Sequence, residues 1–356
     1  MKRAIIMSAK YAPGHFSHML AYTKLFENAG FETSMLIANE YIDFINDYPE
    51  YKYISLEDIK SVKADILLIY NMSVHDSKYM RILKKNNQNL KILFVYHEPW
   101  FGLKKWLEDL KTKRESVIDS TKTLARYFFA VSIIKKSDKI LLPSRKAEEY
   151  YNKICIKYNP NYSLFPLVFT DEANGSYSIE DKKYFSFIST VQNSKNFTMF
   201  LKYIKYKAKS DQSSLFQIAT RSDISEYLDD ELNQLIKQKR LIINHGHSLS
   251  NQEINKAYAV SNCTWMLYNR STQSGVLCKS FMFGSPVIAS DIGSFREVVN
   301  KNNGIILNNG YSLEDIDKAY EQIRNAQAQL SDGARAAFIS DFYYASHSEN
   351  FEKIIR

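Results

Sequence analysis

The sequence predicts an α/β protein made of two doubly wound, Rossmann-like domains. Three observations predict it: short apolar runs bounded by polar turns recur along the chain, amphipathic stretches separate them, and 356 residues are too many for one ordinary core. Apolar residues make up 45% of the sequence, enough to fill two cores and to argue against disorder.

The elements follow in order. Residues 4–8 form a short apolar strand, and 11–20, YAPGHFSHML, is a loop entering a helix. Met19, Leu20, Leu25 and Phe26 recur at helical spacing there, and 31–38 returns as a strand. The runs 66–70, 92–96 and 139–143 lack polar alternation, as expected for strands buried on both faces of a parallel sheet. The polar, acidic segment 169–183, FTDEANGSYSIEDKK, reads as a linker. It divides the chain into a first domain, 1–169, and a second, 170–342. Strands are predicted in the second at 184–190, 215–219, 241–244 and 264–268.

Residues 271–299, STQSGVLCKSFMFGSPVIASDIGSFREVV, carry the most chemistry. A helix starts near Ser274, because small polar turn residues give way to Val276, Leu277, Phe281 and Met282. Its first amides have no partner within the helix and carry partial positive charge, so Gln273, Ser274, Gly275 and Val276 can cradle a phosphate. Gly284 ends this helix, Pro286 blocks its continuation, and 287–289 form a buried strand with a polar loop at its carboxyl end.

Charge and composition bound the function. The net charge of +8 lies in the first domain: residues 1–170 hold 26 Lys and Arg against 18 Asp and Glu, leaving 21 against 21. Much of the excess falls in 103–136, where Lys104, Lys105, Lys111 and Lys113 interleave with Trp106 and later aromatics. This stretch suits an anionic membrane surface or an acceptor face; a solvated helix face and a nucleic-acid surface are the alternatives. No apolar stretch reaches the roughly 18 residues of a membrane helix, and the start reads as strand and loop, not as a signal peptide. Cys155, Cys263 and Cys278 have neither metal-ligand nor disulfide spacing. A cytoplasmic protein is expected, with peripheral contact to the inner face of the cell membrane.

Residues 284–307, GSPVIASDIGSFREVVNKNNGIIL, resemble the C-terminal signature of the large retaining glycosyltransferase family four. The resemblance implies a GT-B architecture: two Rossmann-like domains facing a cleft, with a C-terminal helix crossing back to the first. The apolar spacing of Phe351, Ile354 and Ile355 suits such a helix within 343–356. Family members carry two glutamates before the 287–289 strand, and alignment on Gly284 puts Ser271 and Lys279 in their places. The first usually lies near the donor sugar and the second holds the ribose. The Gln273–Val276 loop resembles that of capsule and surface-polysaccharide transferases.

The same resemblance bears on other residues. Lys195 falls where the family has a diphosphate-binding lysine, and Thr190 stands where an arginine is usual. Arg221, at the end of a predicted strand, either supplies that charge or makes a surface ion pair. Gly246 lies in a loop similar to one that contacts the nucleotide base. Glu297 either holds a ribose hydroxyl or favours a helix start. Gly14 either lines the site or makes an ordinary turn. His97, at a strand's carboxyl end, matches a histidine near the donor sugar and acceptor.

These features imply transfer of a sugar from a nucleotide-diphosphate sugar to a saccharide acceptor, plausibly lipid-linked, with retention and with neither metal nor cofactor. A nucleotide-sugar epimerase, a non-catalytic interaction subunit and a nucleic-acid-binding protein are the competing readings.

Overall fold

The computed structural model describes all residues except 98, 100–101, 103–105, 108–116, 174–177, 248 and 272. The chain forms two compact units, Met1–Thr170 with Tyr343–Arg356, and Asp171–Phe342.

Unit 1 holds a seven-stranded parallel sheet. Its strands are β1 (Arg3–Ser8), β2 (Glu32–Ile37), β3 (Tyr53–Ser55), β4 (Ile66–Asn71), β5 (Lys91–Val95), β6 (Lys139–Leu142) and β7 (Tyr162–Leu164), in the order β3-β2-β1-β4-β5-β6-β7. The unbroken apolar run of β4 has a direct cause: Leu67 and Ile69 enter one core, while Ile66, Leu68 and Tyr70 enter the other. Helices therefore cover both faces, and the strand needs no polar face.

The first helix begins at Phe16 after a 3-10 turn, Pro13–His15, and buries Met19, Leu20, Leu25 and Phe26. The C-terminal helix Ser348–Ile355 packs on it within unit 1, where Phe351 lies 4.9 Å from Phe26 and 5.7 Å from Tyr22 between ring centroids. A backbone bridge between Phe169 and Tyr343 joins the two segments as the chain returns to this unit.

Unit 2 holds a six-stranded parallel sheet: β8 (Tyr184–Ile188), β9 (Leu215–Ala219), β10 (Leu241–Asn244), β11 (Ser261–Met266), β12 (Val287–Ser290) and β13 (Gly304–Leu307), ordered β10-β9-β8-β11-β12-β13. The strands predicted at 215–219 and 241–244 occur at those positions. β8 stops two residues before the expected end, and β11 runs 261–266 instead of 264–268. The shift in β11 has a side-chain cause, since buried Ser261 bonds to Ser186 on β8 (2.6 Å) and to Ala257 (2.7 Å). Polar residues are thus drawn into the strand that apolar patterning leaves out.

Three strands escape sequence prediction. β3 and β7 are three-residue edge strands without fully buried residues, and β13 starts on the glycine of an Asn-Gly pair, a turn signal. Gly304 is needed there for close approach: a Cβ on it would lie 2.6 Å from the Val287 carbonyl oxygen on β12.

At the base of this sheet the buried Lys182 ammonium donates toward the carbonyls of Phe283 (2.7 Å), Ala259 (3.3 Å) and Ser261 (3.3 Å) and toward Ser285 Oγ (3.1 Å). It thereby satisfies carbonyls at the ends of the helices Asn251–Ala259 and Gly275–Met282. Burial pulls its pKa down to about 7.

Candidate active site

In unit 2 the strand order reverses between β8 and β11, and the carboxyl ends of strands at such a switch point are where open α/β sheets bind ligands. Hydrogen bonds hold the loops after these two strands in register. The Asn269 amide donates to the Ser194 carbonyl (2.8 Å), its side chain donates to Asn193 (2.8 Å), and the Trp265 indole donates to the Lys195 carbonyl (3.3 Å). Asn196, in the left-handed region at φ 54°, turns the chain into the helix Phe197–Ser210 and donates to Tyr311 (3.0 Å).

This turn sets Lys195 Nζ over the ring of Tyr268, 3.9 Å from its centroid. Burial raises the Tyr268 pKa, while the hydroxyls of Ser189 and Ser274 beside it pull the other way, so the phenol stays neutral. Ser274 is the N-cap of the Gly275–Met282 helix, with extended backbone and no capping bond from its side chain. Gly275 and Val276 remain partly exposed. One ammonium and one helix N-terminus therefore lie against Tyr268, and both are groups of the kind that attract an anion.

The other predicted residues of this unit take separate places. Gln273 is partly buried just before the helix, and its carbonyl accepts from Ser271 Oγ (2.7 Å). Arg221 is exposed after β9, next to Ser222, whose hydroxyl accepts from the Val191 amide (3.0 Å) and so ties its loop to that of Lys195. Gly246 has φ 79° and donates to the Ser222 carbonyl (3.3 Å). Glu297 is exposed on the short helix Phe295–Val298 beyond β12. If Arg221 supplies charge to the diphosphate, Arg221→Ala weakens nucleoside-diphosphate binding about tenfold at low salt and less at high salt. Calorimetry at two salt concentrations checks this, and unchanged affinity removes Arg221 from the site.

Lys279 occupies the helix position where the resemblance places a ribose-binding glutamate. Its ammonium instead donates to Glu172 (3.0 Å), Asn251 (2.9 Å) and Asn255 (3.0 Å), and the Glu172 carboxylate also accepts from both asparagines at 2.8 Å. The pair is 12% and 9% exposed, so Lys279 is committed to an internal clamp. Sequence reasoning missed Glu172, because its partner lies 107 positions away. Tyr268 was missed as well, although its place directly after an apolar strand is the signal that singles out His97.

In unit 1 the order reverses between β1 and β4, and His97, after β5, belongs to the same end of the sheet. Its Nε2 lies 2.9 Å from the Tyr70 carbonyl oxygen, which only accepts, so Nε2 carries the proton. His15 packs beside it with ring centroids 5.5 Å apart, and His18 is fixed by a bond from Nδ1 to the Val168 carbonyl (2.9 Å). Gly14 lies exposed in the 3-10 turn without positive φ, and a Cβ there would meet nothing within 4 Å.

Lys104, Lys105, Lys111 and Lys113 lie outside the described residues. Trp106, expected on a membrane or acceptor face, is partly buried and packs against the unit 1 core. Leu107 and Phe128 are among the exposed apolar side chains of this unit. Among the described residues no helix is long and apolar enough to cross a membrane.

Residues 182–326, less than half of the chain, match the family described as Glycosyl transferases group 1. No curated protein matches the sequence. Solved structures with similar folds include a mutant S. aureus TarM in complex with Fondaparinux, alpha-GlcNAc-glycerol and UDP. It has TM-score 0.74 and 9% identity, with 100% of each chain covered. Anabaena Alr3699/HepE in complex with UDP and glucose gives TM-score 0.68 and 10% identity, covering 100% of this chain and 99% of that one. Sucrose-phosphate synthase from Thermosynechococcus elongatus gives 0.66 and 13%, covering 100% and 98%. The fold is GT-B, and the group 1 domain in unit 2 marks a glycosyltransferase.

Proposed function

We propose that this GT-B glycosyltransferase moves a sugar from a nucleotide-diphosphate sugar to a saccharide acceptor with retention of configuration. The observation that carries the donor reading is that Lys195 and Ser274, the N-cap of the Gly275–Met282 helix, are both placed against Tyr268. As the glycosidic bond to phosphate breaks, negative charge grows on the leaving diphosphate. The ammonium and the amides near Gln273–Val276 stabilise it without reorganisation, and the reading invokes no metal.

The remaining roles belong to the same proposal. Arg221 adds charge to the diphosphate, the Gly246 loop meets the base, and Glu297 accepts from the ribose, since Lys279 donates elsewhere. In unit 1, His97 and the Gly14 turn serve the sugar or the acceptor. The bond between His97 Nε2 and the Tyr70 carbonyl fixes the orientation of the ring, which suits a positioning role. A leaving-phosphate oxygen takes the acceptor proton. Similarity to S. aureus TarM and Anabaena HepE, solved with UDP, supports a nucleotide donor.

A screen of nucleotide sugars for thermal stabilisation, followed by turnover with a membrane extract, tests the proposal. Stabilisation and transfer are expected with at least one donor. Donor consumption without any acceptor would point to an epimerase, and binding without turnover to a non-catalytic subunit.

The acceptor is proposed to be lipid-linked, in bacterial surface polysaccharide synthesis such as capsule or lipopolysaccharide, at the cytoplasmic face of the membrane. The basic stretch 103–136 motivates this. Neutralising Lys104, Lys105, Lys111 and Lys113 together is expected to lower activity on a vesicle-bound acceptor at least tenfold and on a soluble analogue less than twofold. Equal losses on both sink the membrane part.

A further inference from the structure

Three imidazoles, His15, His18 and His97, pack together at the end of the unit 1 sheet, and two of them have a backbone carbonyl as partner. His97 donates through Nε2 to Tyr70, and His18 donates through Nδ1 to Val168. His15 differs. Its ring is wedged among Tyr70 (5.6 Å between centroids), His97 (5.5 Å) and His18 (6.2 Å), and its Nδ1 is buried without a hydrogen-bond partner.

Leaving such a nitrogen unsatisfied is unfavourable, and a ligand hydroxyl relieves this on binding. His15 is partly exposed as a residue, and the neighbouring Gly14 borders open space, which gives a ligand an approach. Burial and the positive charge of Lys10 hold the His15 pKa down to about 4. The facing groups, His18, His97 and Tyr70, supply no described carboxylate to reverse this. An uncharged imidazole suits an uncharged hydroxyl and has little attraction for phosphate.

We propose that His15, beside His97, hydrogen-bonds a sugar hydroxyl and so helps to set which saccharide unit 1 accepts. This rests on the glycosyltransferase reading only for the identity of its ligand, a pyranose. The hydroxyl comes either from the donor's sugar or from the acceptor, and the test separates the two.

Calorimetry on the full chain would compare wild type, His15→Ala and His15→Asn against three probe sets: UDP alone, UDP-glucose with UDP-N-acetylglucosamine, and the methyl glycosides of glucose, galactose and N-acetylglucosamine. The Asn variant keeps a side-chain amide near the position of Nδ1. In the expected result His15→Ala binds UDP as wild type does but loses about tenfold in affinity for a sugar-bearing probe, and His15→Asn recovers part of the loss. Loss confined to UDP-sugars assigns the hydroxyl to the donor, and loss confined to glycosides assigns it to the acceptor.

A change below twofold on every sugar probe overturns the proposal, as does an equal loss on UDP alone. So does failure of the wild type to bind any sugar-bearing probe more tightly than its sugar-free counterpart. If the wild type binds no nucleotide, the transferase reading fails by itself and the glycoside arm still decides the role of His15.

Discussion

Lys195→Ala is expected to lower kcat for sugar transfer by about 10²- to 10³-fold, the range for removing one preorganised donor to a developing anion. The ammonium is held over the Tyr268 ring at the switch point between β8 and β11, and the helix amides at Gly275 and Val276 cannot replace a full charge. Affinity for UDP should fall less than kcat, because most of the leaving-group charge appears only as the bond breaks. Lys195→Arg should recover part of the rate, since the planar guanidinium keeps the charge but spreads it differently. Steady-state kinetics with the donor found in the thermal screen, together with UDP calorimetry, measure both. An unchanged kcat for Lys195→Ala would falsify the placement of the leaving diphosphate at this helix.

Lys279→Glu is the second substitution with a large effect, and its effect is on stability. It would supply the acidic residue that the family resemblance leads one to expect at this position, yet it would set a carboxylate against buried Glu172. Like charges there add repulsion to the loss of a buried pair, itself worth about 3–5 kcal/mol. For a unit of this size the melting temperature should drop by about 10 °C. The exchange Glu172→Lys with Lys279→Glu should recover a good part of it, because the asparagine amides and carbonyls of Asn251 and Asn255 can serve either polarity. Lys279→Met should also melt lower while leaving UDP affinity within twofold. Calorimetric melts of the three variants check this; a melting temperature of Lys279→Glu near wild type would mean that the clamp carries no weight.

Much of the fold was legible because apolar runs in parallel strands buried on both faces leave little ambiguity. β4, β9 and β12 are of this kind, and the Ser-Gly entry and Gly284 exit bracket the helix Gly275–Met282. β3 and β7 were not legible, because a three-residue edge strand without a fully buried side chain has no periodicity to read. The start of β11 was hidden for another reason: Ser261 and Asn262 are buried by hydrogen bonds that composition cannot foresee.

The candidate site divides in the same way. Local sequence determined what depends on neighbouring residues: where the helix near Ser274 begins, that a histidine ends the β5 segment, and that a lysine follows β8. Tertiary structure decided what depends on distant partners. It set Lys195 over Tyr268, gave Lys279 to Glu172, folded Trp106 onto a core and gathered His15 with His97. Helix starts and buried strands are written in residues a few positions apart, whereas a side chain's partner is chosen by strand order, which brings together residues from remote parts of the chain.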